Sequence, residues 1–534
     1  MSLNRRKFVQ TTSYAALSTA MISSLPQIAQ AQTGATDSFD IEQAFAAFMT
    51  DLGESPSDGG GTVTFTGRDP ILRSHFRIGA CMAIPAMAAG VGAAAIWKAR
   101  TGAGQDAKID LREAIYNINP AIGIIMQKKR AFGLLDPDDP IPETFTFVPT
   151  INGLWYQAPL LFDTPLSFAI LPTKDDRWVT PTIIYPHHMI GFLTVINTAP
   201  NTQAIEKTVK QWNGQELDDA AAAEGYVLGL HRTAEQWAQT PEGQHLAKIP
   251  VIEIVKINDT DPIPFKPNPE QPLSGIKSLS CTHVIASSVA ARTLAEYGAE
   301  ILHIARDQSF EHELFATDCT VGMRSSFVDL KNPDQSNHFA TLIPDADVFI
   351  EGFRGGAMEK LGYGVKEVAT KKPGIIYLTI RCYSWDGPWW NRPGFDMEAL
   401  TVSGYTIREA GGPGRRPRFP ATMVLNDFIA GYMGAAGVIA ALRRRAKEGG
   451  SYHVRISLTR AAMWFMSLGS FANTTDFNPN DTEHRMIAPE TITAQTPYGE
   501  VQRLAPQVKL SKTPGRWRTP LVSVRGGDRP TWES

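Results

Sequence analysis

Two distant stretches of this chain match at a constant offset of 347 residues: GVGAAAIWKARTGAGQDAKIDLREA from Gly90 and GVIAALRRRAKEGGSYHVRISLTRA from Gly437. Identities include Gly90/Gly437, Val91/Val438, Ala93/Ala440, Ala94/Ala441, Gly102/Gly449, Ile109/Ile456, Leu111/Leu458 and Ala114/Ala461, while Lys108 and Arg455 agree in charge. Alanines in helices match easily by chance. The glycine, isoleucine and leucine matches beyond the helix carry more weight, and they identify a duplicated helix–turn–strand unit. Any fold for this chain has to accommodate that unit twice.

The second copy lies within Asn391 to Leu458. A loop rich in Gly, Pro and Arg, Gly411 to Pro420, leads to Asn426 and Asp427; small apolar residues follow, and Arg443, Arg444 and Arg445 close the run. An acidic start and a basic end are the polarity that a helix dipole favours. Asp427 has two readings on this spacing. It can cap free backbone N–H groups. The same helix end can also keep its carboxylate ionised at the mouth of a pocket, which suits a nucleophile. The first copy has Ala80 at the position of Asp427, so only the second copy can react by such chemistry.

At 534 residues the chain has room for two or more domains and a sizeable core. A net charge of −3 gives no general case for a nucleic-acid partner. Cys81, Cys281, Cys319 and Cys382 form no CxxC pair and are widely scattered, which argues against a zinc site, a redox motif or a disulfide framework. They read as small buried hydrophobes. The N-terminus places Arg5-Arg6-Lys7 before a moderately apolar stretch and Ala29-Gln30-Ala31. That order reads as a signal peptide over residues 1–31, and its NRRKFV core resembles a bacterial twin-arginine signal, which points to periplasmic export. No later run reaches ~18 uninterrupted apolar residues, so no membrane span is expected.

In chain order, Ile71 to Arg100 reads as one or two helices and Asp106 to Ile115 as a strand running into a helix. Ile205 to Ala223 and Thr233 to Ala247 each read as a helix. The Pro-rich, acidic stretch Ile252 to Pro272 is the best linker candidate, and the linker proper is expected at 261–272. Beyond it the pattern changes. Ile276 to His283 and Ile301 to Ile304 read as strands around a helix at Ala290 to Gly298, a βαβ unit. Asp347 to Ile350 and Ile375 to Ile380 add two buried strands, so this half reads as doubly wound α/β. The expected organisation is a degenerate first half, 40–260, and a second half, 273–534.

Several motifs, in order, resemble the class III CoA-transferase family, which includes formyl-CoA and carnitine CoA-transferases. They are LSGIKSLSCTHVIASSVAARTLAEYGAEILHIARD from Leu273, DLKNP from Asp329, and DADVFIEGFRGGAMEKLGYG from Asp345. KPGIIYLTIRCYSWDGP from Lys372, RPGFDMEALTVSG from Arg392, and the Asp427 to Ala461 stretch follow. The resemblance covers most of Leu273 to Trp517 and touches the first half at the repeat and at Arg232 to Trp237. It implies a Rossmann-like parallel-sheet large domain, a smaller α+β domain and a homodimer of interlocked subunits. It also implies a CoA-transferase with coenzyme A as co-substrate, acyl-CoA and carboxylic acids as small-molecule partners, and no permanent cofactor or metal.

Carried over by motif, Asp427 matches the catalytic aspartate. His283, Val284, Ile285, Arg306, Gly352, Phe353, Arg354, Lys360 and Leu361 match CoA-lining positions, with Lys360 or Arg354 facing a phosphate. The chain departs from the family at Ala286-Ser287-Ser288, at Gly352 to Gly356 and at Arg381 to Ser384, and its Gly411-Gly412-Pro413-Gly414 loop precedes the aspartate instead of following it. Two alternatives remain. An α-methylacyl-CoA racemase is disfavoured because Phe395 stands where racemases resembling this family have a histidine. A degenerate acyl-CoA-binding protein is motivated by the export signal, since the family is usually cytoplasmic.

Overall fold

The computed structural model describes residues 39–118, 149–155, 169–307, 311–420, 422, 424–472, 474 and 481–533. The expected signal peptide lies outside them. The elements that build the site are, in chain order, β1 (Gly60–Thr66), α1 (Ile78–Thr101), β2 (Gln105–Asp110), α2 (Pro186–Ile196), β3 (Glu253–Asn258) and β4 (Lys277–Cys281). They continue with α3 (Ala286–Glu296), β5 (Glu300–Ala305), β6 (Arg324–Phe327), β7 (Val348–Glu351) and β8 (Ile376–Arg381). α4 (Asp396–Ser403), α5 (Leu425–Glu448), β9 (Ser451–Ser457), α6 (Leu458–Ser467) and β10 (Lys509–Leu510) complete the set.

The large sheet has the order β6-β5-β4-β7-β8-β9-β3. Its strands pair in parallel except for the antiparallel edge β3. Strand alternation gives the sheet two apolar faces. Val348, Ile350, Ile376, Leu378 and Ile380 join the core around α3 and α5, whereas Phe349 and Tyr377 join a second cluster with Leu279, Leu302 and Ile343. This is the α/β class expected from the strand–helix alternation. A separate apolar cluster around Leu171, Val179, Phe192, Leu217 and Leu230 forms a smaller α+β region in the first half.

The duplication is real in three dimensions. α1 and α5 are both 24 residues long, and their bounds, 78–101 and 425–448, differ by the offset read from the sequence. Each is followed by a parallel-paired strand, β2 or β9, and then by a helix capped by the last strand residue: Asp110 accepts from the Arg112 N–H, and Ser457 from that of Arg460. β2 pairs with β1 in parallel and with β10 antiparallel, and β9 pairs likewise with β8 and β3.

The third strands are exchanged. β3 closes the first half yet completes the second copy, and β10, near the end of the chain, completes the first. The contacts repeat too. A Cβ on Gly90 would stand 2.6 Å from Val508, just before β10, and one on Gly437 would stand 2.9 Å from Ile252, just before β3. A Cβ on Gly92 would meet Ile439, its own counterpart, at 2.7 Å. A residue that faces its own equivalent lies on a two-fold axis. The halves are therefore intertwined about an approximate internal dyad, with the small residues of α1 and α5 packed face to face across it.

Three local expectations change. Ile205 to Ala223 is two helices, Thr202–Val209 and Gly214–Ala223, because the first ends at Lys210 and the second starts after Asn213. Thr233 to Ala247 is also two, since Thr240 and Pro241 begin a new helix. The linker stretch contains β3, an ordered edge strand. α1 and α5 are long and apolar enough to cross a membrane by length and composition alone. Their most apolar windows are 100% and 94% buried inside this fold.

Candidate active site

Asp427 is the third residue of α5, in its first turn. The end of that helix is capped by Asp396, whose Oδ2 accepts the backbone N–H groups of Asn426 at 2.7 Å and Asp427 at 2.9 Å. Asp427 is therefore not the cap, and its carboxyl is left for another purpose. Asn426 is buried, and its side-chain amide donates to the Leu458 carbonyl at 2.6 Å, tying the start of α5 to α6. The Glu398 carboxylate accepts from the Phe395 N–H at 2.9 Å and from the Thr182 hydroxyl. The Arg392-to-Glu398 motif thus builds a rigid frame around the first turn of α5.

The electrostatics of this frame reverse the expectation that the helix end keeps Asp427 ionised. Burial, followed by the charges of Asp396 and Glu398, pushes the Asp427 carboxyl well above the ordinary carboxylate range. Burial likewise pushes both Asp396 and Glu398 up to about 7. Desolvation and like charge outweigh the helix dipole here, because the dipole is already satisfied by Asp396.

Asp427 lines a cleft of about 880 Å³ between the two halves. Of the positions singled out in the sequence, His283, Val284, Ile285, Arg306, Gly352, Phe353, Arg354 and Leu361 line the same cleft. Lys360 does not; it is exposed at the end of the short helix Ala357–Lys360. Gly352 is required by close approach, since a Cβ there would stand 2.4 Å from Ser287 Oγ. Arg306 is half-exposed, with Asp329 at 3.8 Å. Among the described residues, no group of three or more His, Cys, Asp or Glu is placed to hold a metal ion.

The first half supplies one wall of the cleft, and sequence reasoning missed it. Tyr185, His187, His188 and the 224–227 turn line the cavity opposite the second half. The Tyr185 hydroxyl lies 3.3 Å from His283 Nδ1 and 3.4 Å from Glu311 Oε1, and its ring stacks on Phe395 at 5.9 Å. The field of Asp427 is among the causes that raise the Tyr185 phenol well above its usual value, after burial and Glu311. The paired histidines after Tyr185-Pro186 were the available signal. Buried anchors hold the halves in register. Arg392 pairs with the fully buried Asp218, and Glu242 accepts the N–H groups of Ser384 at 3.0 Å and Trp389 at 2.9 Å.

Comparison with known proteins bears on this cleft through the second half. Residues 273–518 match CoA-transferase family III. The matched segment is nearly the Leu273 to Trp517 stretch that carries the motifs. The acetyl-coenzyme A transferase nodX of Hypoxylon pulicicidum is 28% identical over 285 residues, covering 51% of this chain and 48% of that protein. The succinyl-CoA–L-malate CoA-transferase alpha subunit of Chloroflexus aurantiacus is 30% identical over 258 residues, 45% of this chain and 54% of that one. The crystal structure of Rv3272 from Mycobacterium tuberculosis is 30% identical with a TM-score of 0.34, covering 37% of this chain and 56% of that chain. The chain spans about half the length of the curated relatives it matches.

Proposed function

We propose that this protein is a CoA-transferase that moves CoA from an acyl-CoA thioester to a free carboxylic acid through an aspartyl-CoA intermediate on Asp427. The observation that carries the proposal is the placement of a non-capping, buried carboxyl on the wall of a cleft that also holds eight of the nine CoA-lining positions implied by the family resemblance. The Asp427 carboxylate attacks the donor thioester carbonyl, giving a mixed anhydride and CoA thiolate. The thiolate attacks the aspartyl carbonyl, releases the donor acid and leaves aspartyl-CoA. The acceptor carboxylate attacks that thioester and displaces the thiolate. The thiolate then attacks the acceptor carbonyl, forming the new acyl-CoA and restoring Asp427.

The raised affinity of Asp427 for a proton has a role in this scheme. A carboxylate disfavoured by burial and by two neighbouring carboxyls is a more basic and more reactive nucleophile once ionised. The test is trapping: incubation with a panel of acyl-CoA thioesters, treatment with hydroxylamine or borohydride, and peptide mass spectrometry. Modification at Asp427, absent in Asp427→Ala, is the expected result. Epimerised thioester without exchange would replace this reading with the racemase, and CoA binding without an adduct would replace it with a non-catalytic binder.

A further inference from the structure

The cleft holds a histidine pair that the transfer scheme leaves unused, beside Arg354, a position the family resemblance assigns to CoA. His187 and His188 stand in the first turn of α2 with ring centroids 4.0 Å apart. The His188 ring meets Phe395, the residue before the cap Asp396, at 5.6 Å. Arg354 reaches this wall from the second half: its Nη1 would stand 3.4 Å from a Cβ on Gly225. All four residues line the cleft that contains Asp427. The Nδ1 of His188 is buried with no hydrogen-bond partner among the described residues. Burial, then Arg354 and His283, lowers the affinity of His187 for a proton, and burial with His187, Arg354 and His283 takes His188 down to about 4. Two neutral imidazoles and a guanidinium on one wall of the cleft form a set of hydrogen-bond donors, which is the chemistry of an anion site.

Two anions enter this cleft under the transfer reading: the carboxylate of the acid and the phosphates of CoA. Both imidazoles sit against the Tyr185 ring, at 5.9 and 6.2 Å, and His188 also meets Phe395; Tyr185 in turn feels the charge of Asp427, which sets the pair toward the reacting end. We propose that His187 and His188, from the first half, together with Arg354, from the second, bind the carboxylate of the acid substrate. The first half, which lacks its own reactive aspartate, thereby becomes the acid-selecting wall of the site built by the second. This inference rests on the proposed transfer for the identity of the acid, though not for the existence of the anion site.

The test uses the full chain with CoA present, titrated calorimetrically with acetate and with succinate, in wild type, His187→Ala, His188→Gln and Arg354→Gln. His187 is exposed, so its truncation leaves the core intact. Loss of one charge-assisted or imidazole contact should weaken acid binding roughly tenfold in each variant, with CoA affinity unchanged in the histidine variants. In steady-state exchange by the two histidine variants, KM for the acid should rise while KM for the acyl-CoA and kcat hold. Unchanged acid affinity in all three variants overturns the proposal. So does a loss that falls on CoA or inorganic phosphate instead, which would make the cluster a phosphate site. Acid binding that follows the predicted pattern without any adduct at Asp427 would sink the transfer reading and leave the anion site standing.

Discussion

In the first copy of the repeated unit, Asp69 accepts the N–H groups of Gly79 at 2.8 Å and Ala80 at 2.7 Å; in the second, Asp396 accepts those of Asn426 and Asp427, the equivalent residues. Helix, cap and following strand are the same. The route to the cap differs. Gly67 and Arg68 alone join β1 to Asp69, whereas residues 382–395 join β8 to Asp396 and carry the loop that faces the cleft. The space around the start of α1 is filled. Phe76 stacks on Tyr405 at 4.5 Å and meets Phe465 edge-on at 6.2 Å, while Glu409 accepts from the hydroxyl of Ser74 and the N–H of His75, each at 3.0 Å. One backbone unit thus serves as a packed scaffold or a site wall according to what is inserted before its helix. The fully buried Ala80 is the residue that the filled version accepts.

Four experiments would break or sharpen that comparison. The largest effect is expected from Asp427→Asn, which should lower transfer by about 10³-fold or more in a CoA-exchange assay while leaving the fold intact. Retained turnover would mean that the two helix starts do not differ in chemistry. The reciprocal change, Ala80→Asp, should give no second adduct by mass spectrometry. It should destabilise the protein in urea by ~3 kcal/mol, because it buries a carboxyl with no partner.

The dyad comes next. Gly92→Leu should cost ~2 kcal/mol by overpacking against Ile439, and combining it with Ile439→Ala should recover part of the loss. Purely additive costs would remove the axis contact. The smallest difference separates the two caps. Burial raises Asp69 to about 6 and Asp396 to about 7, both above their ordinary 3.8. The folded state therefore holds both protons more tightly than the unfolded chain. The stabilisation is complete below about pH 4 and is lost as pH rises through the folded value. Asp69→Asn should flatten the pH dependence of thermal unfolding between about pH 4 and 6, and Asp396→Asn between about pH 4 and 7. Identical windows would show that the two cap environments do not differ.

Much of this architecture was legible in the residues. The 347-residue offset placed both helices, both following strands and the Ala80/Asp427 contrast, because repeated sequence repeats its local geometry. Apolar runs bounded by turns gave the strands β4, β5, β7 and β8, and ordered motifs marked most of the cleft wall in the second half. These features are local: periodicity, turn residues and short motifs act over neighbours in sequence.

The tertiary structure decided the rest. That β3 and β10 change places between the halves could not be read locally, since any strand edge offers the same hydrogen bonds and only the packing of the whole chain selects one. Asp427 needed the same information. An acidic residue at a helix start reads as a cap until Asp396, 31 positions away, is seen to hold those N–H groups. Its proton affinity then follows from burial and from neighbouring carboxyls, both of them products of the fold. The paired histidines after Tyr185-Pro186 marked the run as unusual, but nothing local placed Tyr185 and His188 beside Phe395. The sequence by itself determined the parts and their symmetry; which charges share one low-dielectric cleft was settled by long-range packing, because electrostatic environment is a property of distances in space.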